Sequence, residues 1–433
     1  MKKAIVVGTG AGGATAAKEL QGAFDVTVLE AGGPFRPFSV DLSLVEKVKR
    51  TGLLFDEREI RFLFPAMRIQ KTADGMVLVK GIASGGTTTL ATGNALRMDA
   101  DLKKIGIDLN PEFDELLTEV PISTEHQKRW RPVTKQLFET CEEMGLSPSP
   151  TPKMVDYTKC IRCGECVLGC KQGAKWDSRN FLNAAVSKGA HLIEDCSVTR
   201  LVTENGTVTG VEARRGWKRE FYPADLVILA AGGFGTPVIL ENSGIQCQPS
   251  MFVDPVLCVA TEWKDSYQNK DFPMPFVIQR EHFIVSPYFD HLSFFFNPQW
   301  KYPPHDTLAL MIKLADSNTG TITKKMVDKE LTDPDKIQLQ AGVDLCTEIL
   351  GRLGVKKESL FLGTLNAGHP GGMLPLTESE ASTFHDRRLP KNVYVADATL
   401  FPRSIGNPPI LTIMAMAKRV SRLCISMDTL SKN

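Results

Sequence analysis

The sequence predicts an α/β protein: a parallel sheet covered by helices, a second domain built on an antiparallel sheet, and a short cysteine-rich insertion. Three observations predict it. "KAIVVGTGAGGATAAKEL" near the N-terminus reads as a buried strand, a glycine turn and a helix. From about residue 251 to 364 the texture changes to short β-branched and aromatic runs separated by Pro, Asp and Asn. "CIRCGECVLGC", residues 160–170, puts four of the ten cysteines into one short loop, while the others are scattered singly.

The bulk properties set limits. A chain of 433 residues, 42% apolar and 23% charged, has room for two or three domains and a full core. Net charge is +1 and Lys/Arg form no long runs, so nucleic acid is not an expected partner. The first apolar run is four residues long and cut by glycines, too short for the roughly 7–15 residues of a secretion signal. No window approaches the roughly 20 apolar residues of a membrane span. A cytoplasmic location is expected, where clustered cysteines serve metals or catalysis more often than disulfides.

In chain order, residues 4–7 form the first buried strand and the helix starts at about Gly12. Gly8, Gly10 and Gly13 spell G-x-G-x-x-G, whose amides and helix N-terminus suit a pyrophosphate. The second strand, "DVTVLEAG", ends on Glu30, about 20 residues on, where a carboxylate binds ribose hydroxyls. A glycine-rich turn without a ligand is the bland alternative, but strand, helix and acid stand in register for a Rossmann-like dinucleotide site. NAD and FAD both fit at this point; "LEAGG" around the acid favours FAD.

Three further stretches resemble the glucose-methanol-choline (GMC) oxidoreductases, FAD enzymes that act mostly on alcohols. "VKGIASGGTTTLATGNALR" is similar to the family's phosphate loop, which implies that Gly85, Gly86, Thr87 and Thr88 cradle the FAD phosphates and that Asn94 approaches the isoalloxazine. "LVILAAGGFGTPVILENSGI" resembles the second signature, with Gly232 and Gly233 beside the nucleotide. "GHPGG" followed by "NVYVADATLFPRSIGNPPILTIMAMAKR" matches the C-terminal part. There the resemblance implies a catalytic pair, His369 and Asn407, an acid near the ribityl chain, Asp397, and a helix after Pro408 whose N-terminus faces the flavin. Val198 corresponds to a position whose backbone touches the adenine. Two departures stand out: "GHPGGMLPL" changes the neighbours of His369, and the chain is shorter than typical members, implying a trimmed substrate domain.

The FAD-binding domain is expected to be discontinuous, with a first part at 1–250, carrying the iron–sulfur insertion at 151–185, and a second at 365–433. Residues 251–364 form the substrate, or cap, domain. Within it "FVDPVLCVATEW", "PMPFVIQREHFIVSP", "HLSFFFN" and "LALMIKLAD" read as strands. A helix follows, N-capped by Thr332 with Pro334 in its first turn, its buried stripe at Ile337, Ala341, Leu345 and Ile349. Cys346 reads as a core residue.

The C-x2-C-x2-C-x3-C spacing of Cys160, Cys163, Cys166 and Cys170 matches the bacterial iron–sulfur run. A 4Fe-4S cluster is the leading reading, with Cys170 the best fourth ligand. In two-cluster ferredoxins the fourth cysteine serves the other cluster, and the usual proline is here Lys171, so Cys196 and Cys141 are alternatives for that place. A 3Fe-4S cluster on three ligands, a zinc site and unligated thiols complete the options. Gly164 and Gly169 favour a tight loop around a bulky centre.

Taken with the resemblance, these residues imply a dehydrogenase that oxidises a small-molecule alcohol, with His369 taking the hydroxyl proton as hydride leaves for flavin N5 and Asn407 hydrogen-bonding the same oxygen. Flavin accepts two electrons together and a cluster carries one, which implies a ferredoxin-like acceptor or partner subunit. Two rivals reuse the same parts: a ferredoxin-linked reductase of a carbonyl or activated C=C, and a non-catalytic electron-transfer flavoprotein. His282, His291 and His305, and Phe283, Phe289, Phe294, Phe295 and Phe296, lie in the cap and read chiefly as surface or packing residues.

Overall fold

β1 (Lys3–Val7) buries four of its five residues and runs at the centre of a five-stranded parallel sheet. The sheet order is Val393–Val395, Leu226–Leu229, β1, β2 (Asp25–Leu29), His191–Ile193, every pair parallel. It is described here from a computed structural model, which covers residues 1–51 and 56–430. Near-continuous apolar strands such as LVIL are what a sheet covered on both faces requires. Helix α1 (Ala11–Leu20) and the C-terminal helix Ile410–Leu430 pack against each other over this sheet.

The glycine turn explains the tightness of that packing. Gly8 has φ +97°, and a Cβ there would lie 2.5 Å from the Ala230 carbonyl oxygen. A Cβ on Gly13 would lie 2.0 Å from the Gly8 carbonyl oxygen, and one on Gly12, which the motif leaves unspecified, 1.5 Å from that of Ala396. Gly10 has nothing within 4 Å. Gly13→Ala is therefore expected to push α1 off β1 and lower stability by about 1–3 kcal/mol. Gly10→Ala should leave the melting temperature of flavin-free protein unchanged and weaken FAD retention, because its methyl enters space left open for the nucleotide. Thermal unfolding and flavin content of the two variants check both statements.

The second sheet has nine strands and draws on three parts of the chain rather than on 251–364 alone. Val256–Glu262, Thr307–Leu314, Phe283–Pro287 and Phe276–Gln279 form its antiparallel centre. Met67–Lys71 and Val77–Gly81 extend one side through Asn366–Ala367, whose pairing with Val77–Gly81 is parallel. Both faces are covered. Leu308, Leu310, Ile312 and Leu314 point into one core, while Ala309 and Met311 point into the other, the alternation expected of a strand. Lys313 falls in register with Met311, on the face turned toward the flavin domain's glycine loops.

Two expectations for the cap are corrected. HLSFFF is a helix, His291–Phe296, because Asp290 caps it by accepting from Leu292 N and Ser293 Oγ and the run holds no β-branched residue. The helix Asp333–Arg352 begins as expected, with a capping box between Thr332 and Asp335. Its buried stripe, however, is Gly342, Cys346, Ile349 and Leu350, with Ile337 65% exposed. Gly342 sets the contact line: a Cβ there would meet Ile312 at 2.6 Å, so the helix rolls its smallest residue onto the sheet. Cys346 is core, as expected.

Candidate active site

The nucleotide cradle assembles from both glycine loops. Gly85 and Gly86 have φ +97° and +52°, and a Cβ on Gly86 would stand 3.0 Å from Gly10 Cα. Gly85 N donates to Thr9 Oγ1 at 3.0 Å. Glu30, at the end of β2, accepts from Thr9 N, Thr9 Oγ1 and Gly32 N; burial pushes its carboxyl above the ordinary range against those bonds. Thr87 Oγ1 accepts from Gly81 N, whereas the Thr88 hydroxyl turns inward to Gly85 O and Ser178. Ser178 Oγ also lies 2.8 Å from Thr9 O and 2.9 Å from Gly85 O, knotting the two loops together. Nothing in the sequence marked Ser178. Val198 sits in the strand Cys196–Glu204, whose first residue donates N–H to Glu30 O.

Asp397 closes the far end of the cradle. Its carboxylate accepts from Gly232 N, Thr236 Oγ1, Thr399 N and Thr399 Oγ1, joining the end of Val393–Val395 to the helix Gly232–Asn242. Burial raises its pKa in spite of these four donors. The combination of positive-φ glycines, open space at Gly10, a ribose-range carboxylate and a buried acid fits FAD, which these residues would hold.

Beside the cradle lies a cavity of about 180 Å³ between the two sheets. Thr87, Asn94, His369, Pro408 and Ile410 stand on its wall, so the phosphate loop, the candidate base and the start of the C-terminal helix converge there. Asn407 does not line it. Its amide is paired with Gln279, at 3.1 and 3.3 Å, and with Ile405 O, at 3.2 Å.

Behind His369 is a charged group that sequence reasoning missed. Asp254, fully buried and at φ +51°, lies with Oδ2 3.0 Å from Lys313 Nζ and 3.5 Å from His369 Nδ1. Ser404 Oγ and Gly406 N bond its other oxygen. Burial pushes the Asp254 carboxyl up, but Lys313, His369 and Ser404 outweigh burial and hold it below the usual carboxylate range. Burial, and then the Lys313 cation, push His369 below its ordinary value, with Asp254 opposing. A non-glycine residue held in the left-handed region is a strain that surrounding contacts must maintain, and it aims this carboxylate at the histidine.

His291, read from sequence as packing, also lines the cavity, buried and with neither ring nitrogen hydrogen-bonded. Burial lowers it to about 4 and raises neighbouring Asp290 to about 6. Phe295 shares the wall, while Phe283, Phe289, Phe294 and Phe296 are core. His282 and His305 are half exposed.

The four clustered cysteines line one narrow cavity on the other side of the flavin loop. Gly164 and Gly169 have φ +78° and +90°, and Cβ atoms there would strike Asn269 O at 1.9 Å and Phe35 at 2.6 Å, so the loop is wedged against both domains. Cys196 and Cys141 are buried elsewhere and do not reach this cavity. All ten cysteines are free. Among the described residues no three His, Cys, Asp or Glu side chains are placed to hold a metal ion. A single zinc needs sulfurs at about 2.3 Å from one point, so that arrangement gives the zinc reading no support.

Two lysines complete this cavity. Lys153, 1% exposed, bonds Asn94 Oδ1 and Pro273 O; Lys175, 3% exposed, bonds the carbonyls of Thr88, Thr89 and Ala91 at 2.8–2.9 Å. Burial pushes Lys153 down to about 7 and Cys166 up to about 12. Thr92 lies on both cavities, and Val167 and Leu168, from the cysteine loop, line the larger one.

Comparison with known proteins identifies the family. The family model described as GMC oxidoreductase matches residues 3–257, more than half the chain. An uncharacterized protein of Methanocaldococcus jannaschii, MJ1450, is 27% identical over 426 residues, covering 96% of this chain and 98% of that one. The GMC-type oxidoreductase Rv0492c of Mycobacterium tuberculosis is 28% identical over 64% of this chain, which spans 44% of its length. Long-chain-alcohol oxidase FAO4A of Arabidopsis thaliana is 23% identical over 96% of this chain and 67% of its own. Among solved structures, pyridoxine 4-oxidase from Mesorbium loti superposes with TM-score 0.70 at 14% identity, over 98% of this chain and 99% of that one. A formate oxidase of Aspergillus oryzae RIB40 does so with TM-score 0.72 at 15% identity, over 99% and 98%. No helix among the described residues is long and apolar enough to cross a membrane. With the family model matching more than half the chain, the chain belongs to the GMC oxidoreductase family, FAD-dependent oxidoreductases acting on CH–OH donors.

Proposed function

We propose that the protein is a dehydrogenase in which His369 deprotonates an alcohol inside the cavity between the two sheets, and in which a one-electron protein acceptor of the ferredoxin type receives the electrons. The observation that carries the reading is the placement of His369, backed by a buried carboxylate, on the same cavity wall as Asn94 and Pro408. Bound FAD supplies the hydride acceptor.

The chain's own groups define the proton path. Asp254 Oδ2 lies 3.5 Å from Nδ1 without a hydrogen bond between them, and its charge favours the tautomer with the proton on Nδ1, which leaves Nε2 as the basic nitrogen. The hydroxyl proton passes to Nε2, and the charge that forms on the ring is stabilised by Asp254. Lys313 neutralises that carboxylate in the resting state and keeps His369 in its unprotonated, competent form. Asn407 stands behind this wall, its amide held by Gln279 and Ile405 O, and fixes the turn that leads into Pro408. The apolar wall of Met67, Leu168, Phe295 and Met311 excludes water.

The electron exit rests on Cys160, Cys163, Cys166 and Cys170, whose thiols share a cavity with Lys153 and Lys175. A 4Fe-4S or 3Fe-4S cluster bound there would carry electrons singly. Purification under argon tests both assignments: we expect a flavin band near ~450 nm together with iron and acid-labile sulfide. Absence of flavin even after added FAD overturns the redox reading, and flavin without iron overturns the cluster alone.

A pH profile tests the charged group. Flavin reduction by substrate should lose rate as pH falls through the pKa of His369, which lies below the ordinary histidine value of about 6.5. Lys313→Met removes the cation that lowers it, so the acid limb should move to higher pH. An unmoved limb would disconnect Lys313 from the base.

A further inference from the structure

We infer that Lys153 and Lys175 are the counter-charges of the four-thiolate centre, fixing its charge and redox potential while tying it to the loop that holds the flavin. The inference rests on the cluster reading above and adds the residues that tune it.

Buried ammonium groups are ordinarily paired, because desolvation of an isolated charge costs several kcal/mol. Here two of them stand on one small cavity, and among the described residues neither makes an ion pair. The carboxylates nearby are committed elsewhere. Asp177 is held by both Nε and a terminal nitrogen of Arg179. Asp271, on the cavity wall, accepts from Arg131 N, Thr134 Oγ1 and Phe272 N. Glu165 pairs with Lys171 and Lys270 toward the surface. The Asp177 charge still acts on Lys175 without an ion pair, and the groups that share the cavity with both ammoniums are the four cysteines. Four thiolates around a 4Fe-4S core in its oxidised state carry a net charge of about −2, which two ammoniums balance.

The same lysines reach the other way. Lys175 gathers three carbonyls from Thr88, Thr89 and Ala91, and Lys153 holds the side chain of Asn94. These are residues of the loop whose Gly85 and Gly86 form the nucleotide cradle and whose Asn94 faces the larger cavity. Thr92, between the two anchor points, is common to both cavities. Each lysine thus contacts the flavin loop with its hydrogen bonds and the cysteine site with its charge. Lys153 and Lys175 are positioning residues, since neither is a ligand.

The test uses the holoenzyme, prepared anaerobically, and the variants Lys153→Met, Lys175→Met and the two Lys→Arg replacements. Iron and sulfide content and an EPR-monitored titration with dithionite are read in each. Reduction adds an electron to an already anionic centre, so removing a nearby cation should make it harder. We expect a more negative midpoint potential in each Met variant, a larger shift in the double variant, and recovery toward the wild-type value with arginine. Loss of the cluster in the Met variants but not in the Arg variants supports the same charge requirement. Potentials unchanged in Met variants that keep their cluster overturn the inference, as does cluster loss in Met and Arg variants alike, which would make the side-chain shape decisive rather than the charge. Wild-type protein that contains flavin but neither iron nor sulfide overturns the underlying cluster reading, a result separate from all of these.

Discussion

His369→Ala is expected to slow reduction of the flavin by substrate about 10²- to 10⁴-fold, the usual effect of removing a positioned general base. FAD content should hardly change, because no atom of the cradle depends on the His369 ring: its side chain faces Asp254 and the cavity, 27% exposed. The variant should also lose the acid limb of the pH profile, since the titrating group is gone. Asn407→Ala should cost less. It leaves the base in place and takes no group off the cavity wall, and its structural consequence is to release Gln279. Anaerobic stopped-flow measurement separates these outcomes. Wild-type speed in His369→Ala would show that this histidine only fills the turn after Asn366–Ala367, and the proton path through Asp254 would fall with it.

Cys160→Ser, Cys163→Ser and Cys166→Ser are each expected to abolish or degrade the cluster, because a hydroxyl is a poor replacement for a soft thiolate on iron. Cys170→Ser should do the same, or leave a three-iron centre, since Cys170 lines the cavity and Cys196 and Cys141 do not. FAD should stay bound in all four variants, because Glu30, the glycines and Asp397 remain untouched. Full iron and sulfide in the first three variants would show that the thiols are not ligands. An intact four-iron signal in Cys170→Ser would demand that the loop move to reach a remote cysteine, against its wedging at Gly164 and Gly169.

The features legible in the sequence are those governed by a few neighbouring residues. Glycine spacing announced the turn after β1, because only glycine tolerates φ +97° with an Ala230 carbonyl 2.5 Å from where a Cβ would be. Thr332 and Pro334 announced a helix start, and the cysteine spacing announced a single loop that brings four thiols to one cavity. Even local pattern failed where context outweighed it: HLSFFF became a helix once Asp290 capped it, and the face of Asp333–Arg352 was chosen by the close approach of Gly342 to Ile312. The chemistry of the site was decided by tertiary structure alone. Lys313 Nζ reaches the Asp254 carbonyl across 59 residues, Ser404 bonds the Asp254 carboxylate across 150, and Gln279 pairs with Asn407 across 128. Nothing in the sequence marked Lys153 or Lys175. Only the meeting of the cysteine loop with the flavin loop removes their water and sets both on one cavity with four thiols.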